Sequence, residues 1–372
     1  MIHPKAFVDA LTNQGLTFYA GVPDSLLKDF CAYVDDHGMP GQHVITANEG
    51  NAVAMASGYY MATGQSAVVY LQNSGLGNTI NPLTSIADRE VYQTPLLLVI
   101  GWRAEPGVKD EPQHIKQGRI TPGQLDLLEI PYQIVDADRD PDTLAAWARQ
   151  QLDATRAPVA LLVKKGAFAN YKSQRQPATQ ATLRREAALD ILLDLAGDAA
   201  VVSTTGKTSR EVFELRVARG EPQRDFLTVG GMGHTASIAL GVALGQPQKR
   251  VVCIDGDGSV LMHLGALPII GSLKPAHFTH VLLNNAAHES VGGQPTVADR
   301  TDFKAIALAS GYRAYAVAAT PDELQAAWQQ LAEQPGPVML EVQITTGSRA
   351  DLGRPTSTPR DNKHAFMDWL NR

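Results

Sequence analysis

The chain has 372 residues, of which 44% are hydrophobic and 19% are charged, so it is long enough for two ordinary domains with buried cores. The formal net charge is −6 and no long basic run occurs, which argues against nucleic acid or a membrane surface as a partner. The two cysteines, the lack of an apolar run of ~18 residues, and an N-terminus without a charged-then-apolar leader predict a cytoplasmic protein.

Helix-like and strand-like segments alternate along the first half of the chain. Helices are predicted at residues 7–14 and 26–35, and buried parallel strands at 44–46, 67–71, 96–100 and 159–164. Strands that alternate with helices are typical of a doubly wound α/β sheet. The polar stretch 170–183 has no apolar period and is predicted to link a first domain, residues 1–169, to a second, residues 184–372.

The second half repeats the α/β alternation. Helices are predicted at 184–195, 236–245 and 364–370, and strands at 199–203, 250–254, 281–283 and 338–344. The predicted fold class is therefore α/β, with two doubly wound parallel-sheet domains.

One predicted βαβ unit combines a glycine-flanked carboxylate with a later amide. The strand at 250–254 runs into Gly256-Asp257-Gly258, and the strand at 281–283 stops at Asn284-Asn285. Because a βαβ unit brings the ends of neighbouring strands together, Asp257 and Asn285 can offer hard oxygen ligands to one Mg²⁺ or Mn²⁺. The glycines allow phosphate oxygens to approach a helix N-terminus closely. By itself the tripeptide is more often an ordinary turn; its spacing from Asn285 favours the metal site.

This pattern resembles that of the thiamine diphosphate enzymes. The resemblance implies that the cofactor diphosphate is bound by Gly256, Asp257, Gly258, Ser259 and Asn285. It further implies that Mg²⁺ is held by Asp257, Asn285 and Ala287.

Two more segments resemble parts of the same superfamily. Residues 47–59 resemble the segment with the activating glutamate, so Glu49 would hydrogen-bond a pyrimidine nitrogen of the cofactor and favour the imino tautomer that generates the ylid. From residue type alone, Glu49 is equally a solvated acid at a helix start. Residues 230–234 resemble the loop that holds the aminopyrimidine, with the Gly230 carbonyl accepting the exocyclic amine and Met232 wedged between the two rings. A lone methionine is otherwise core filler.

Longer strings resemble one branch of the superfamily, the phosphonopyruvate decarboxylases; they are residues 21–28, 72–78, 105–114, 205–211 and 288–296. The resemblance implies decarboxylation of 3-phosphonopyruvate to phosphonoacetaldehyde and CO₂, with a pyrimidine-binding first domain, a diphosphate-binding second domain and no middle domain. It also implies a homo-oligomer, at least a dimer, whose site lies between the first domain of one subunit and the second domain of another. Ala286 and Glu289 depart from the pattern, where glycine and aspartate are expected.

A highly anionic substrate in an acidic protein requires local polar and cationic groups. The candidates for substrate binding are Ser25, Arg103, Lys109, Lys207, Arg210 and His288. Lys207 is predicted in a strand–helix loop, and Arg210 offers a planar fork for phosphonate oxygens. Each cation alone is equally a solvated surface group. His114, after the fourth strand, is a candidate for proton relay or for binding the substrate carboxylate.

Three other functions stay open at this point. A sulfopyruvate decarboxylase would differ only in the anion it recognises, but those relatives commonly carry their domains on separate subunits, so a fused chain favours phosphonopyruvate. A carboligase of the superfamily would join the bound aldehyde unit to a second keto acid. A scaffold that binds the cofactor without turnover is disfavoured by the intact Glu49, Asp257 and Asn285.

Two segments resemble nucleotide-binding motifs but are incomplete. Val201 stands where a Walker A loop needs glycine, and Ile80 stands where a dinucleotide-binding fingerprint needs its third glycine.

Overall fold

The computed structural model describes residues 1–39, 41–175 and 179–372. The contacts within the chain divide it into two units, Met1–Gln176 with Ser290–Gln294, and Pro177–Glu289 with Pro295–Arg372. Positions 176–178 of the predicted linker lie outside the described residues. Within the described part of the chain, no helix is long and apolar enough to cross a membrane.

The first unit is built on six strands: β1 (Tyr19–Gly21), β2 (His43–Ile45), β3 (Ala67–Gln72), β4 (Leu96–Gly101), β5 (Tyr132–Val135) and β6 (Val159–Val163). They form one parallel sheet in the order β2-β1-β3-β4-β6-β5. Its helices are α1 (Pro4–Asn13), α2 (Lys28–His37), α3 (Glu49–Thr63), α4 (Ile80–Leu83), α5 (Pro112–Leu127) and α6 (Pro141–Thr155), with a 3₁₀ helix at Asn73–Thr79.

Alternate residues of these strands belong to two different hydrophobic clusters. Val68, Val99 and Leu161 pack with residues of α1, α2 and α6. Their chain neighbours Val69 and Leu98 pack instead with residues of α3 and α5. Because successive strand side chains point to opposite faces, the sheet is covered on both faces, which confirms the doubly wound prediction.

The second unit has a second parallel sheet, of β7 (Ala200–Ser203), β8 (Phe226–Leu227), β9 (Val251–Gly256), β10 (Phe278–Asn284), β13 (Ala314–Ala318) and β14 (Val338–Gln343). The order is β13-β14-β10-β9-β7-β8. Its helices are α7 (Arg185–Ala196), α8 (Lys207–Ala218), α9 (Thr235–Gly245), α10 (Asp257–Met262), α11 (Ala266–Leu273), α12 (Phe303–Ala309), α13 (Pro321–Ala332) and α14 (Pro359–Leu370), with a 3₁₀ turn at Ala298–Arg300. A further 3₁₀ turn spans Glu289–Val291. The short strands β11 (Ala287–His288) and β12 (Gln294–Pro295) lie outside both six-stranded sheets.

Sequence patterns missed four strands of the two sheets: β1, β5, β8 and β13. Each has at most five residues, and β5 and β13 lie at sheet edges and are only partly buried, so none shows a long run of large apolar residues. The prediction that β2 is buried was wrong, because all three of its residues are half-buried at an edge of the sheet. Lys207 was predicted in a loop, but it is the first residue of α8.

The predicted site residues of each unit follow the carboxyl ends of several of its strands. In the first unit, Ser25, Glu49 and Arg103 follow β1, β2 and β4. In the second unit, Lys207, Asp257 and Asn285 follow β7, β9 and β10. In open α/β sheets, this edge is where ligands bind.

Candidate active site

Glu49 begins α3 and its carboxylate is held in a buried pocket of the first unit. The side chain of Asn48 caps the helix by accepting from the Gly50 N–H at 2.8 Å. Glu49 is only 5% exposed, and its Oε2 accepts from Asn78 Nδ2 at 2.8 Å. Burial raises the pKa of the Glu49 carboxyl above its ordinary value, with the Asn78 hydrogen bond acting in the opposite direction. A carboxyl of this kind is suited to sharing a proton with a ring nitrogen.

Ser25 and Arg103, two of the predicted substrate-binding residues, are in direct contact. Arg103 Nη1 donates to Ser25 Oγ at 2.7 Å, and Arg103 Nε donates to Asp110 Oδ2 at 2.8 Å. Asn73 Nδ2 donates to the Arg103 carbonyl at 3.0 Å, which ties this pair to the 3₁₀ segment that also contains Asn78. Lys109, the third candidate from this region, is exposed to solvent.

His114 lies in the first turn of α5 and is 8% exposed. Burial, reinforced by the positive charge of Arg103, lowers the pKa of His114 to about 4, with Asp110 acting in the opposite direction. Its Nδ1 is buried and has no hydrogen-bond partner among the described residues. Near neutral pH, His114 is therefore an uncharged imidazole with an unused ring nitrogen, which fits proton exchange better than binding a carboxylate by charge.

Asp257 and Asn285 meet at the ends of β9 and β10 in the second unit. These strands pair in parallel with Gly256 opposite Leu283, so the residues that follow them lie side by side. Both residues are buried, and the backbone N–H of Asn285 is among the groups that stabilise the Asp257 carboxylate. Burial nevertheless raises the pKa of Asp257 to about 6, although Thr296 Oγ1 also donates to its Oδ2 at 2.5 Å.

The donor set fits a hard divalent cation. Asn285 Nδ2 donates to Glu289 Oε2 at 3.1 Å, which fixes Oδ1 as the acceptor end of the amide, and that oxygen accepts from the Ala287 N–H at 3.1 Å. An anionic carboxylate oxygen and an amide oxygen are the ligand types that Mg²⁺ prefers. A cation beside Asp257 would also compensate a carboxylate that burial otherwise disfavours in its charged form.

The glycine-rich loop at residues 230–234 is tied to the predicted diphosphate segment. Gly230, Gly231 and Gly233 all have positive φ, a conformation that glycine adopts without steric cost. The Gly230 N–H donates to Thr205 Oγ1 at 3.0 Å, and the Gly233 N–H donates to Ser259 Oγ at 3.1 Å. Met232 is half-buried between these two anchored glycines, so its position is set by the loop.

His288 and Ala286 surround the same strand ends. A Cβ on Gly258 would lie 3.2 Å from the His288 ring, which shows how closely the imidazole packs on the Gly-Asp-Gly turn. Burial lowers the pKa of His288 to about 4, so this histidine is also uncharged near neutral pH. Ala286, where the family pattern leads us to expect glycine, has φ +54°. The position therefore has the left-handed conformation that glycine favours, and alanine occupies it under strain.

Lys207 and Arg210 already have partners within the second unit. Lys207 Nζ donates to Glu289 Oε1 at 2.6 Å, so the longer acid at position 289 reaches a predicted substrate-binding cation. Arg210 Nε donates to the Gly353 carbonyl at 2.6 Å and Nη2 to that of Leu352, which anchors the segment before α14. Arg210 thus helps to build the fold, and its fork is not directed at open solvent.

Another set of metal-ligating side chains lies deeper in the second sheet. Ligand atoms of Cys253, Asp255 and His280 come within 4.8 Å of one another, and all three residues are buried. Burial raises the pKa of the Cys253 thiol well above its ordinary value, so the sulfur stays protonated. His280 Nδ1 is hydrogen-bonded to the Tyr312 hydroxyl at 3.0 Å. This set is a polar group of the core of the second unit.

Several residues that shape the site were not identified from the sequence as functional residues. Asn73, Asn78, Asp110, Glu211 and Thr296 all fall inside the strings that resembled the family, but only their contacts show what they do. Arg185 falls in no such string. A buried arginine at the start of a helix has the same local sequence signal as an exposed one, so nothing in the sequence distinguished it.

The sequence matches two family models, each covering part of one unit. Residues 3–126 match the N-terminal TPP binding domain of thiamine pyrophosphate enzymes, and residues 204–342 match the C-terminal TPP binding domain. Thiamine pyrophosphate is the same compound as thiamine diphosphate. The chain belongs to the family of thiamine pyrophosphate enzymes.

Three individual relatives are similar to this chain over most of its length. The chain is 38% identical to the phosphonopyruvate decarboxylase of Streptomyces viridochromogenes over 388 residues, covering 100% of this chain and 95% of the relative. It is 35% identical to the phosphonopyruvate decarboxylase of Streptomyces hygroscopicus, covering 99% and 94%. The sulfopyruvate decarboxylase of Methanosarcina acetivorans is 27% identical over 84% of this chain and 83% of its own length. That relative spans both units in a single chain, so fusion of the domains does not by itself separate the two activities.

Proposed function

We propose that this enzyme catalyses the thiamine diphosphate-dependent decarboxylation of 3-phosphonopyruvate to phosphonoacetaldehyde and CO₂. The observation that carries the proposal is the similarity to two phosphonopyruvate decarboxylases across essentially the whole of both chains. Glu49 and the Asp257–Asn285 pair, which the proposed chemistry requires, are present in buried and hydrogen-bonded settings.

The residues of this chain divide the work between them. The bound cofactor supplies the nucleophilic carbon and the electron sink for loss of CO₂. Glu49 holds a proton at the pyrimidine ring, and Asp257 with Asn285 holds the metal that carries the diphosphate, with Ala287 beside them. Gly256, Gly258 and Ser259 line the approach to the phosphates, while Gly230 and Met232 set the position of the pyrimidine. His114, uncharged near neutral pH, accepts or returns a proton through its free ring nitrogen.

Arg103 is the proposed cation for the anionic substrate. Its Nε and Nη2 are paired with Asp110, but its Nη1 has only a neutral partner, Ser25. By contrast, the ammonium of Lys207 is ion-paired with Glu289, and Arg210 is bonded to backbone carbonyls. Exchanging a neutral hydroxyl for a phosphonate or carboxylate oxygen gives a charge-assisted hydrogen bond without breaking an ion pair. Ser25 would remain beside the anion as a further donor.

Sulfopyruvate is the second candidate substrate, because a sulfopyruvate decarboxylase also matches both units. A phosphonate resembles a phosphate, which carries about −1.5 to −2 charge near neutral pH, whereas a sulfonate carries a single charge. ³¹P NMR of a reaction containing phosphonopyruvate, thiamine diphosphate and Mg²⁺ tests the first candidate: phosphonoacetaldehyde must form, and only when the cofactor is present. A spectrum that retains the substrate signal alone would reject it.

The proposal includes two further features, one implied by the family resemblance and one by the composition of the chain. One is a homo-oligomer, at least a dimer, in which each site combines Glu49 of one subunit with Asp257 of another. The other is a cytoplasmic location, supported by two buried free cysteines, Cys31 and Cys253.

A further inference from the structure

Arg185 is a buried charged residue that none of the site motifs contains. Its side chain is 6% exposed, and Nε and Nη2 donate to the two carboxylate oxygens of Glu211 at 2.7 and 2.9 Å. Nη1 donates to Glu289 Oε2 at 2.7 Å. A guanidinium is rarely buried unless its donors are paired, and here its three donor nitrogens are divided between two carboxylates.

Glu289 connects Arg185 to the proposed metal site through hydrogen bonds. Its carboxylate receives three donors: Arg185 Nη1, Lys207 Nζ and Asn285 Nδ2. Because Asn285 gives its amide nitrogen to Glu289, its Oδ1 must face the opposite way, where one lone pair accepts from Ala287 and the other remains for a cation. The orientation of the Asn285 amide therefore depends on the position of the Glu289 carboxylate.

We infer that Arg185 is a positioning residue for the metal site, acting through Glu289 on Asn285. The four-charge network of Arg185, Lys207, Glu211 and Glu289 contains two cations and two anions, so it orients the ligand without adding net charge beside the metal. The partners of a metal ligand typically change metal affinity 10–100-fold when they are replaced. The inference rests on the proposed function only in taking Asn285 as a metal ligand.

Two variants test the network by calorimetric titration of Mg²⁺ into enzyme with saturating thiamine diphosphate and no substrate. Glu289→Gln keeps the length of the side chain but offers one acceptor oxygen and sets an NH₂ group against a donor. Arg185→Gln with Glu211→Gln removes the fork without leaving an unpaired carboxylate at position 211. We expect Mg²⁺ to bind about 10–100-fold more weakly to each. Arg185→Lys, which keeps the charge but not the fork, is expected to lose less affinity.

Arg349→Gln is the matched control. Arg349 also joins α7 to α8, through Glu186 at 2.8 Å and Glu214, but within the described residues none of its ion-pair partners is hydrogen-bonded to a proposed metal ligand, whereas Glu289 is. This variant should keep the Mg²⁺ affinity of the wild type, and thermal unfolding of each apo protein reports whether it is folded. Wild-type affinity in either the folded Glu289→Gln protein or the folded Arg185→Gln/Glu211→Gln protein would overturn the inference. Failure of the proposed function would look different: the wild type would bind Mg²⁺ and cofactor yet leave phosphonopyruvate intact.

Discussion

The carboxylate of Glu49 occupies the space that a side chain at position 75 would need: a Cβ on Gly75 would lie 2.2 Å from Glu49 Oε1. The other carboxylate oxygen, Oε2, accepts from Asn78, three residues further along the same 3₁₀ segment. The position of the proposed activating acid therefore depends on this segment as well as on its own helix. Because a Cβ at position 75 would collide with the Glu49 carboxylate, the observed position of Glu49 requires glycine there.

Gly75→Ala should displace Glu49 and slow turnover while leaving the proposed metal-binding and diphosphate-binding residues of the second unit unchanged. A misplacement of about 1 Å at a reacting group costs about 100-fold in rate, so we expect a fall in kcat of that order with unchanged cofactor binding. Gly77→Ala is the control in the same segment, because nothing lies within 4 Å of a Cβ at that position. Equal kcat values for the two variants would contradict this role of Gly75.

Glu49→Gln and Asp257→Ala should each abolish most activity for different reasons. Glu49→Gln should bind cofactor without turning over, whereas Asp257→Ala should lose Mg²⁺ and thiamine diphosphate on gel filtration. If each site combines Glu49 of one subunit with Asp257 of another, a hybrid dimer of the two variants contains one intact site. Co-expressed, differently tagged variants should then regain about a quarter of wild-type activity through random pairing. No recovery in the isolated hybrid would place both residues of a site in one chain.

Asp24→Asn should change how stability depends on pH. Asp24 is fully buried, and burial raises its pKa to about 6 even though Leu26 and Leu27 donate backbone hydrogen bonds. Since the folded state holds this proton more tightly than the unfolded state, wild-type stability is lost as pH rises from about 4 to about 6. The variant lacks this loss, so its stability relative to wild type should rise by at most about 3 kcal/mol between pH 4 and pH 8.

Urea unfolding of the two apo proteins at both pH values measures that change. Other groups that titrate in this range, Asp257 among them, are present in both proteins and cancel in the comparison. A constant difference in the free energy of unfolding across the range would contradict a raised pKa at Asp24.

Ala286→Gly should stabilise the protein. Ala286 has φ +54°, a conformation that costs an L-residue about 1–2 kcal/mol and costs glycine almost nothing. After the greater flexibility of glycine in the unfolded chain is subtracted, a gain of about 0.5–1 kcal/mol in the free energy of unfolding remains. Ala307→Gly, in helix α12, should have the opposite sign. If urea unfolding gives a lower free energy of unfolding for Ala286→Gly than for the wild type, the predicted strain at Ala286 is contradicted.

Most of the strands that position the site were predicted because they are rich in apolar and β-branched residues. Both faces of each sheet are covered, so neighbouring strand residues such as Val68 and Val69 or Val251 and Val252 are all buried. This gives the continuous apolar runs seen in the sequence. β1 and β8 gave no such signal because they have three and two residues. The proximity of Asp257 and Asn285 could be predicted because neighbouring parallel strands end at the same edge of a sheet. That prediction needs only the order of the strands and no knowledge of individual side-chain contacts.

The residues that support the site could be identified only from the structure. Asn78 reaches Glu49 from 29 positions away, and Arg185 reaches Glu289 from 104. No local pattern encodes such pairs, because each partner lies in an ordinary helix or turn and only the fold brings them together. For the same reason, Lys207 was predicted to be available to substrate, whereas its ion pair with Glu289 becomes visible only in three dimensions.

The most direct test of the proposed activity is a competition between phosphonopyruvate and sulfopyruvate in one reaction with thiamine diphosphate and Mg²⁺. The ratio of the two aldehyde products gives the ratio of kcat/KM, which measures differential binding of the two transition states. We expect phosphonoacetaldehyde to dominate and both products to vanish without the cofactor. Predominant formation of the sulfonate aldehyde, or cofactor-independent turnover, would contradict the proposed function.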